Sequence, residues 1–376
     1  MIAVCWRGFV LSPLPAPDRR HMPPYRRSTG PGGPPAPTTI YDVARAARVS
    51  PATVSRVVGG HVQVSPSLTR RVQQAAAKLG YTPNRVARSL RRRDSSLLAL
   101  IISDIENPFF TSLVRGVDSL ARGFGLSVVL LNTDESLDEE RRLVAVAAAE
   151  RMAGVIISPI SERESQIEPL LRHRQPVVSI DRRLRSTSID SVTVTNVKGA
   201  DEATTHLISE GYRRVACVIG PLYTSTYSDR LLGYRRALDR AGRRFEPELV
   251  QAGGLKEDSG YAAVRRLFEL RRPPDAILTT NSLQGIGALA SLADLGLSPG
   301  PKLGFVTFDD MPWTRLVSPA VTAVAQPNYR VGEAAVTLLT KRAADPERKV
   351  QSIALSTDLH IRASSLRRPL PRLAEG

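Results

Sequence analysis

The run Pro51-Ala52-Thr53-Val54-Ser55-Arg56 joins small side chains to one guanidinium, a set of residues suited to reading base edges rather than breaking bonds. A guanidinium presents a rigid fork of donors that matches the O6 and N7 acceptors of guanine, and one such bidentate contact is worth about 1–3 kcal/mol of discrimination. Arg56 is the candidate for it, with a plain phosphate contact as the alternative. Groups for covalent chemistry are sparse. His21, His61, His173, His206 and His360 are scattered without ligand spacing, and Cys5 and Cys217 are too few for a disulfide framework or a thiolate metal site. No Gly-x-Gly-x-x-Gly follows a strand, and there is no phosphate-binding Gly-Lys-Ser/Thr loop and no nucleophile elbow. An enzyme is therefore not expected, and neither is a cofactor or a metal.

Charge supports a nucleic-acid reading. Of the net +16 carried by 376 residues, +14 lies between Met1 and Arg93, where Asp18 and Asp42 are the only acids; the rest is close to neutral. A basic end on a neutral body is the footprint of a polyanion-binding module joined to something that need not touch polyanions, the bland alternative being a solvated basic tail. Residues 1–37, rich in Pro, Gly and Arg, cannot bury a core and read as a disordered extension, with Met22 as an alternative start of translation. No run approaches the ~18 apolar residues of a spanning helix, and Met1 to Leu11 lack the charged start of an export signal. Together with the low cysteine count, this points to a cytoplasmic protein without a membrane partner.

The elements that must position these residues follow from periodicity and caps. Ile40, Val43, Ala44 and Ala47 line one helical face after Thr38 or Thr39, predicting a first helix over Ile40 to Ala47. Ser50-Pro51 is a cap followed by a first-turn proline and predicts a second helix ending near Gly59-Gly60. Ser65-Pro66 repeats the signal, with Leu68, Val72, Ala75 and Leu79 on one face before Gly80. Three short helices with a tight turn between the first two form a helix-turn-helix, with Pro51, Ala52, Thr53, Ser55 and Arg56 facing DNA and Val54, Val57 and Val58 packing inward. Beyond Arg93, β-rich runs at Leu97 to Ile102, Ser127 to Leu131, Gly154 to Ser158 and Pro176 to Ile180 alternate with helical segments. The alternation restarts with Arg214 to Ile219, Asp275 to Thr279 and Lys302 to Phe308, with helices near Asp229 to Gly242, Asp258 to Leu270 and Ser282 to Leu295. The fold class is α/β, a three-helix headpiece followed by two similar doubly wound lobes with a ligand cleft between them. Ser103-Asp104-Ile105-Glu106-Asn107-Pro108-Phe109-Phe110 follows the first strand and opens a helix, placing Asn107 and Phe109 at the carboxyl edge of the sheet, where ligands of such folds bind.

The run Thr39-Ile40-Tyr41-Asp42-Val43-Ala44-Arg45-Ala46-Ala47-Arg48-Val49-Ser50-Pro51-Ala52-Thr53-Val54-Ser55-Arg56 resembles the headpiece of LacI/GalR-type transcriptional regulators. The likeness continues through Tyr81-Thr82-Pro83-Asn84-Arg85-Val86-Ala87-Arg88-Ser89-Leu90, similar to the family's hinge helix. It implies a headpiece over 38–82, a hinge over 83–94, a periplasmic-binding-protein-like effector and dimerisation domain over 95–363, and a flexible tail over 364–376. The DNA-binding residues it implies are Thr39, Tyr41, Ser50, Pro51, Ala52, Thr53, Ser55, Arg56, Asn84, Arg85, Ala87, Arg88, Leu90 and Arg91. It further implies that the hinge becomes helical on operator DNA beside its dimer mate, with Leu90 wedged between base pairs in the minor groove, while Arg91 to Arg93 meet phosphates. An apolar residue on an otherwise basic segment fits that role better than solvent exposure does. Leu90→Ala is expected to lose much more affinity for the specific site than for random DNA in parallel binding titrations; equal losses on both would exclude the wedge.

For the effector, the resemblance implies Asn107, Phe109, Asp181, Arg230, Asn281 and Asp309, with Arg230 clamping a ligand oxygen. Carboxylates, amides and one guanidinium at strand ends suit a polyhydroxylated ligand, because each hydroxyl both donates and accepts. Three positions depart from the common pattern: Ser282 and Val197 stand where acids are frequent, and Tyr212 where a histidine is. The implied function is a repressor binding a pseudo-palindromic operator as a homodimer, controlled by a sugar, polyol or nucleoside effector. The alternatives are an activator and an exported sugar-binding protein of the same two-lobed fold. Leu113, Val117 and Leu120 form an apolar stripe that serves equally a dimer interface or the core.

Overall fold

Thr39 opens the first helix, α1 (Ile40–Ala47), by a reciprocal cap in which its hydroxyl pairs with Asp42 and the Asp42 carboxylate accepts from the Thr39 backbone at 2.9 Å. The computed structural model describes residues 38–58, 64–79, 95–185 and 189–367. These fall into two units, a three-helix headpiece and everything from residue 95 onward.

In the headpiece, α1 is followed by α2 (Pro51–Val58) and α3 (Pro66–Lys78). Val43, Ala44, Ala47, Val54, Val57 and Val72 form the core. Arg48 ends α1 in the left-handed region at φ 51°, and the Ser50 hydroxyl accepts from the Thr53 amide at 3.1 Å. Arg71 on α3 then donates to the carbonyls of Ala47 (3.0 Å) and Arg48 (3.2 Å), satisfying the exposed end of α1. Ser65 does not cap α3 as expected; its hydroxyl lies 3.3 Å from that of Ser67 instead.

The body contains two six-stranded sheets of the same winding order. In the first, strands β1 (Leu97–Ile102), β2 (Ser127–Asn132), β3 (Gly154–Ile157), β4 (Val177–Ile180) and β5 (Asp190–Val194) are joined by β11 (Ser352–Leu355) in the order β2-β1-β3-β4-β5-β11, all parallel. In the second, β6 (Val215–Ile219), β7 (Val250–Ala252), β8 (Ala276–Thr279), β9 (Gly304–Phe308), β10 (Thr322–Ala325) and β12 (Asp358–His360) run β7-β6-β8-β9-β10-β12, with only β12 antiparallel. The central strands β1, β3, β6, β8 and β9 are entirely or almost entirely buried, which is why they read as continuous apolar runs.

The lobes are not consecutive halves of the chain. After β5 the chain enters the second lobe through the helix Asn196–Ser209, returns after β10 through the helix Asn328–Ala344, and leaves again between β11 and β12. The returning helix buries Val331, Ala335, Val336, Leu338 and Leu339 in the first lobe's core. It packs on the helix Pro108–Gly123 with backbones nearly touching: a Cβ on Gly116 would lie 2.1 Å from the Tyr329 carbonyl, and one on Gly332 would lie 2.4 Å from that of Leu113. This contact decides the stripe on the first of these helices. Leu113 and Val117 are wholly buried within the chain and serve its core, while Leu120 is half-buried against the same core.

Residues 364–367, expected to begin a flexible tail, are held in the second lobe. The Ser364 hydroxyl donates to the Phe305 carbonyl, Ser365 pairs with Thr322, and Arg367 reaches the Asp275 carboxylate at 2.8 Å. Ser365 also lies 2.7 Å from Nε2 of His206, whose burial lowers its pKa. A histidine with a depressed folded pKa favours the folded state above about pH 6.5, and that contribution is lost as pH falls from the unfolded value through the lowered folded one. Thermal unfolding between pH 7.5 and 5.5 is therefore expected to shift downward more in the native protein than in His206→Gln; equal shifts would dismiss this residue as the cause.

Candidate functional site

Strands of parallel sheets end at one edge, and the loops that follow them face each other across the two lobes. β1 ends at Ser103 and Asp104; Asn107 then caps the helix Pro108–Gly123 by accepting from the Phe109 amide at 3.0 Å. β4 ends at Asp181 and β9 at Asp309, and both aspartates adopt left-handed backbone, φ 62° and 72°. Asn281 follows β8 and caps the helix Ser282–Asp294, its Oδ1 accepting from the Gln284 amide at 2.7 Å. Arg230 projects from the helix Ser225–Arg240. The structure brings all six residues expected to contact an effector, Asn107, Phe109, Asp181, Arg230, Asn281 and Asp309, to the lining of one cleft.

Arg230 is 3% exposed. Its Nε donates to Asn196 Oδ1 at 2.8 Å, Nη1 donates to the Thr280 carbonyl, and its guanidinium carbon lies over Phe308, 3.9 Å from the ring centre. These ties hold the fork at one angle and leave Nη2 for a ligand. Asp309 accepts from the Ser282 amide (3.1 Å) and from the Gln326 side chain. Burial pushes both Asp181 and Asp309 above the usual carboxylate range, against the pull of nearby guanidinium groups.

Several further lining residues were not expected as effector contacts from sequence. Arg182 makes a bidentate pair with Glu135 (2.6 and 2.8 Å), and Gln326 and Tyr227 complete the wall, the Tyr227 phenol pushed up to about 12 by burial. Their signal was present in part: Arg182 follows Asp181 directly, but nothing local to Glu135 announces a partner 47 positions away. Trp313 is held by its indole N–H donating to Ser282 at 2.9 Å, and Tyr212 is fully buried with its hydroxyl on the Gly300 carbonyl, so neither lines the cleft. Ties on both flanks join the lobes. Lys256 reaches Asp104 (3.1 Å) and Glu106 (2.6 Å), and Arg183 pairs with Asp229 at 2.6 Å.

In the headpiece, Pro51, Ala52 and Arg56 are exposed at the start and along the outer face of α2, Thr53 is half-buried, and Tyr41 on α1 is 63% exposed. Ser55 lies on the same helix as Arg56. The Thr39 and Ser50 hydroxyls are engaged in caps, the latter 2.9 Å from Thr53 Oγ1. Val54 and Val57 pack inward. Asn84, Arg85, Ala87, Arg88, Leu90 and Arg91 lie outside the described residues, as does the extension 1–37.

Two family descriptions match the chain: "Bacterial regulatory proteins, lacI family" over residues 39–84, and "Periplasmic binding proteins and sugar binding domain of LacI family" over 95–353. Catabolite control protein A of Priestia megaterium is 34% identical over 304 residues, spanning 81% of this chain and 92% of that protein. Among solved structures, the transcriptional regulator CelR in complex with cellobiose is 31% identical with a TM-score of 0.67, covering 87% of this chain and 99% of that one. The lac repressor dimer bound to operator and the anti-inducer ONPF is 26% identical with a TM-score of 0.79, covering 88% and 100%.

Proposed function

Because the chain belongs to the LacI family of bacterial regulatory proteins, we propose that it is a transcriptional repressor that binds a pseudo-palindromic operator as a homodimer and answers to a sugar-like effector held between its lobes. The observation that carries the effector half is the convergence of Asn107, Phe109, Asp181, Arg230, Asn281 and Asp309 on one cleft. The DNA half rests on the exposed Pro51, Ala52 and Arg56 of α2, on the concentration of positive charge before residue 94, and on relatives that are regulators by name. We assign 38–82 to the DNA-reading headpiece, 83–94 to a hinge that pairs with its dimer mate, and the segment from 95 to the effector domain. Among the described residues no helix is long and apolar enough to cross a membrane, and we place the protein in the cytoplasm with its DNA.

The test is selection of sheared genomic fragments on the purified protein at about 150 mM salt, where non-specific binding is weak, followed by sequencing of what stays bound. Recovery of one short palindrome is the expected result; recovery of fragments without a shared sequence would reject the repressor reading. On the recovered site, Arg56→Ala is expected to cost about 1–3 kcal/mol and to relax the preference at one guanine per half-site. A uniform loss across all sequences in competition binding would reassign Arg56 to a phosphate.

A further inference from the structure

Resting on the reading of the cleft as the effector site, we infer that Asn196 and Gln326 are positioning residues that carry its occupancy to the hinge between the lobes. Each stands at a chain crossing and holds a side chain expected to meet the effector. The chain passes between the lobes three times: from β5 to the helix Asn196–Ser209, from β10 to the helix Asn328–Ala344, and from β11 to β12. The passages are short, consisting of Thr195, of Gln326-Pro327 and of Ser356-Thr357. Bodies joined in this way change their relative angle through the backbone of those few residues, so whatever holds these residues biases the lobe angle.

The first and third crossings are laced together. The Thr357 amide donates to Thr195 Oγ1 at 3.0 Å, the two hydroxyls lie 3.1 Å apart, and Lys198 reaches the Ser356 hydroxyl at 3.1 Å. Gly199 lets the helix lie against them: a Cβ there would come within 2.9 Å of both Thr357 Oγ1 and Val324 Cγ1. Of the six expected effector contacts, Arg230 and Asp309 are the two whose side chains bond to these crossings among the described residues. Arg230 Nε donates to Asn196 Oδ1, on the first residue past the first crossing, and Gln326, within the second crossing, donates to Asp309. Asn107 and Asn281 serve instead as local caps of the helices they precede.

Both ties end on a group open to a ligand. Arg230 keeps Nη2 without a partner among the described residues, and Gln326 lines the cleft with its Oε1 buried and likewise unpartnered. A hydroxyl can accept from the first and donate to the second. Either bond orders a side chain that is itself bonded to, or part of, a crossing, with no intervening element. A ligand shifts an equilibrium only by its differential affinity for the two arrangements, and two hydrogen bonds made in one of them are enough for a coupling of about 5–150-fold.

The experiment has two arms, both on the full-length chain. The first reads hydrogen–deuterium exchange at the amides of Thr195, Asn328 and Thr357, which donate to the Leu355 carbonyl, the Gln326 carbonyl and Thr195 Oγ1. Arg230→Met cuts one tie from the cleft side, and Asp309→Gly, which suits the left-handed backbone, cuts the other. Each is expected to speed exchange at these amides about tenfold. Arg182→Met removes an equally buried arginine whose partner Glu135 lies in its own lobe, and is expected to change them by less than about twofold. The second arm titrates the selected operator with and without saturating D-ribose, D-glucose, cellobiose or adenosine, using whichever binds the native protein in calorimetry. The factor by which the probe changes operator affinity is expected to fall to within about twofold of unity in Asn196→Leu and Gln326→Met, and to persist in Asn196→Asp, which keeps an acceptor for Arg230. A native factor in folded Asn196→Leu and Gln326→Met, or exchange in Arg230→Met and Asp309→Gly no faster than in Arg182→Met, would overturn the inference and leave the effector reading standing. Binding by none of the probes would remove the effector reading of the cleft, and this inference with it.

Discussion

Arg230→Met is expected to weaken effector binding by about 30- to 1,000-fold while operator binding in the absence of effector persists. The size follows from what the guanidinium does. It is buried, it is fixed at two points by Asn196 and Thr280, and it lies on the Phe308 ring, so its remaining donor meets a ligand without paying for ordering. Methionine fills the volume of the stem and keeps a favourable sulfur contact with the ring, but returns no donor. The Thr280 carbonyl and Asn196 Oδ1 are left short of a partner, which lowers stability by about 1–3 kcal/mol without unfolding the lobe. Calorimetry with a probe that binds the native protein, alongside operator titration, separates the two effects. Unchanged effector affinity in a folded Arg230→Met protein would take Arg230 out of the site.

Asp190→Ala should cost about 3–5 kcal/mol of stability. Asp190 starts β5 and is wholly buried, yet four hydrogen bonds from three groups converge on its carboxylate. Arg342 donates through Nε and Nη2 at 3.1 and 3.2 Å, Arg348 at 2.6 Å, and the Gln351 amide at 2.7 Å. The last of these sets the register of β11 against β5, so the carboxylate clasps the chain's return to the first lobe. Alanine leaves two largely buried guanidinium groups without a counter-charge, a far larger loss than an exposed pair such as Arg122 with Asp118 would produce. Urea unfolding measures it. A loss under about 1 kcal/mol would mean that both arginines find water on opening and that the cluster is held by packing alone.

The sequence was legible where one physical signal dominated. Helix α1 ends where the caps and the apolar face placed it, and the buried parallel strands announce themselves as unbroken apolar runs. The helix after β6 begins at Ser225, a turn earlier than expected, because Thr224 and Ser225 carry no apolar periodicity. The outer strands were missed for a definite reason. β5 (Asp190–Val194) and β11 (Ser352–Leu355) are short, alternate in burial rather than forming a continuous buried run, and sit toward the sheet edge, and β12 has three residues. β5 and β11 pair with each other across some 160 positions, as Ser191 does with Ser352, which no local window contains. The site shows the same division. Asp181 and Asp309 stand directly after strands, and Asn281 and Asn107 cap the helices that follow theirs, so all four declare their place. Glu135, Asn196 and Gln326 act through Arg182, Arg230 and Asp309, contacts created only when the chain closes.

The late return of the chain to its first lobe orders events on the ribosome. The headpiece has all of its helices once residue 79 is made, so it is complete while most of the protein is still unsynthesised. The first lobe is not: its strands β1 to β5 are finished by Val194, but the helix that covers Leu98, Leu100, Leu113 and Val117 begins only at Asn328. At ordinary translation rates the intervening segment takes about 10 to 30 seconds. Throughout that interval a sheet face meant for the interior is open to solvent or to other chains. Both lobes then close nearly together, over the last stretch from Asn328 to Arg367, so a nascent chain commits to its full body in one late step.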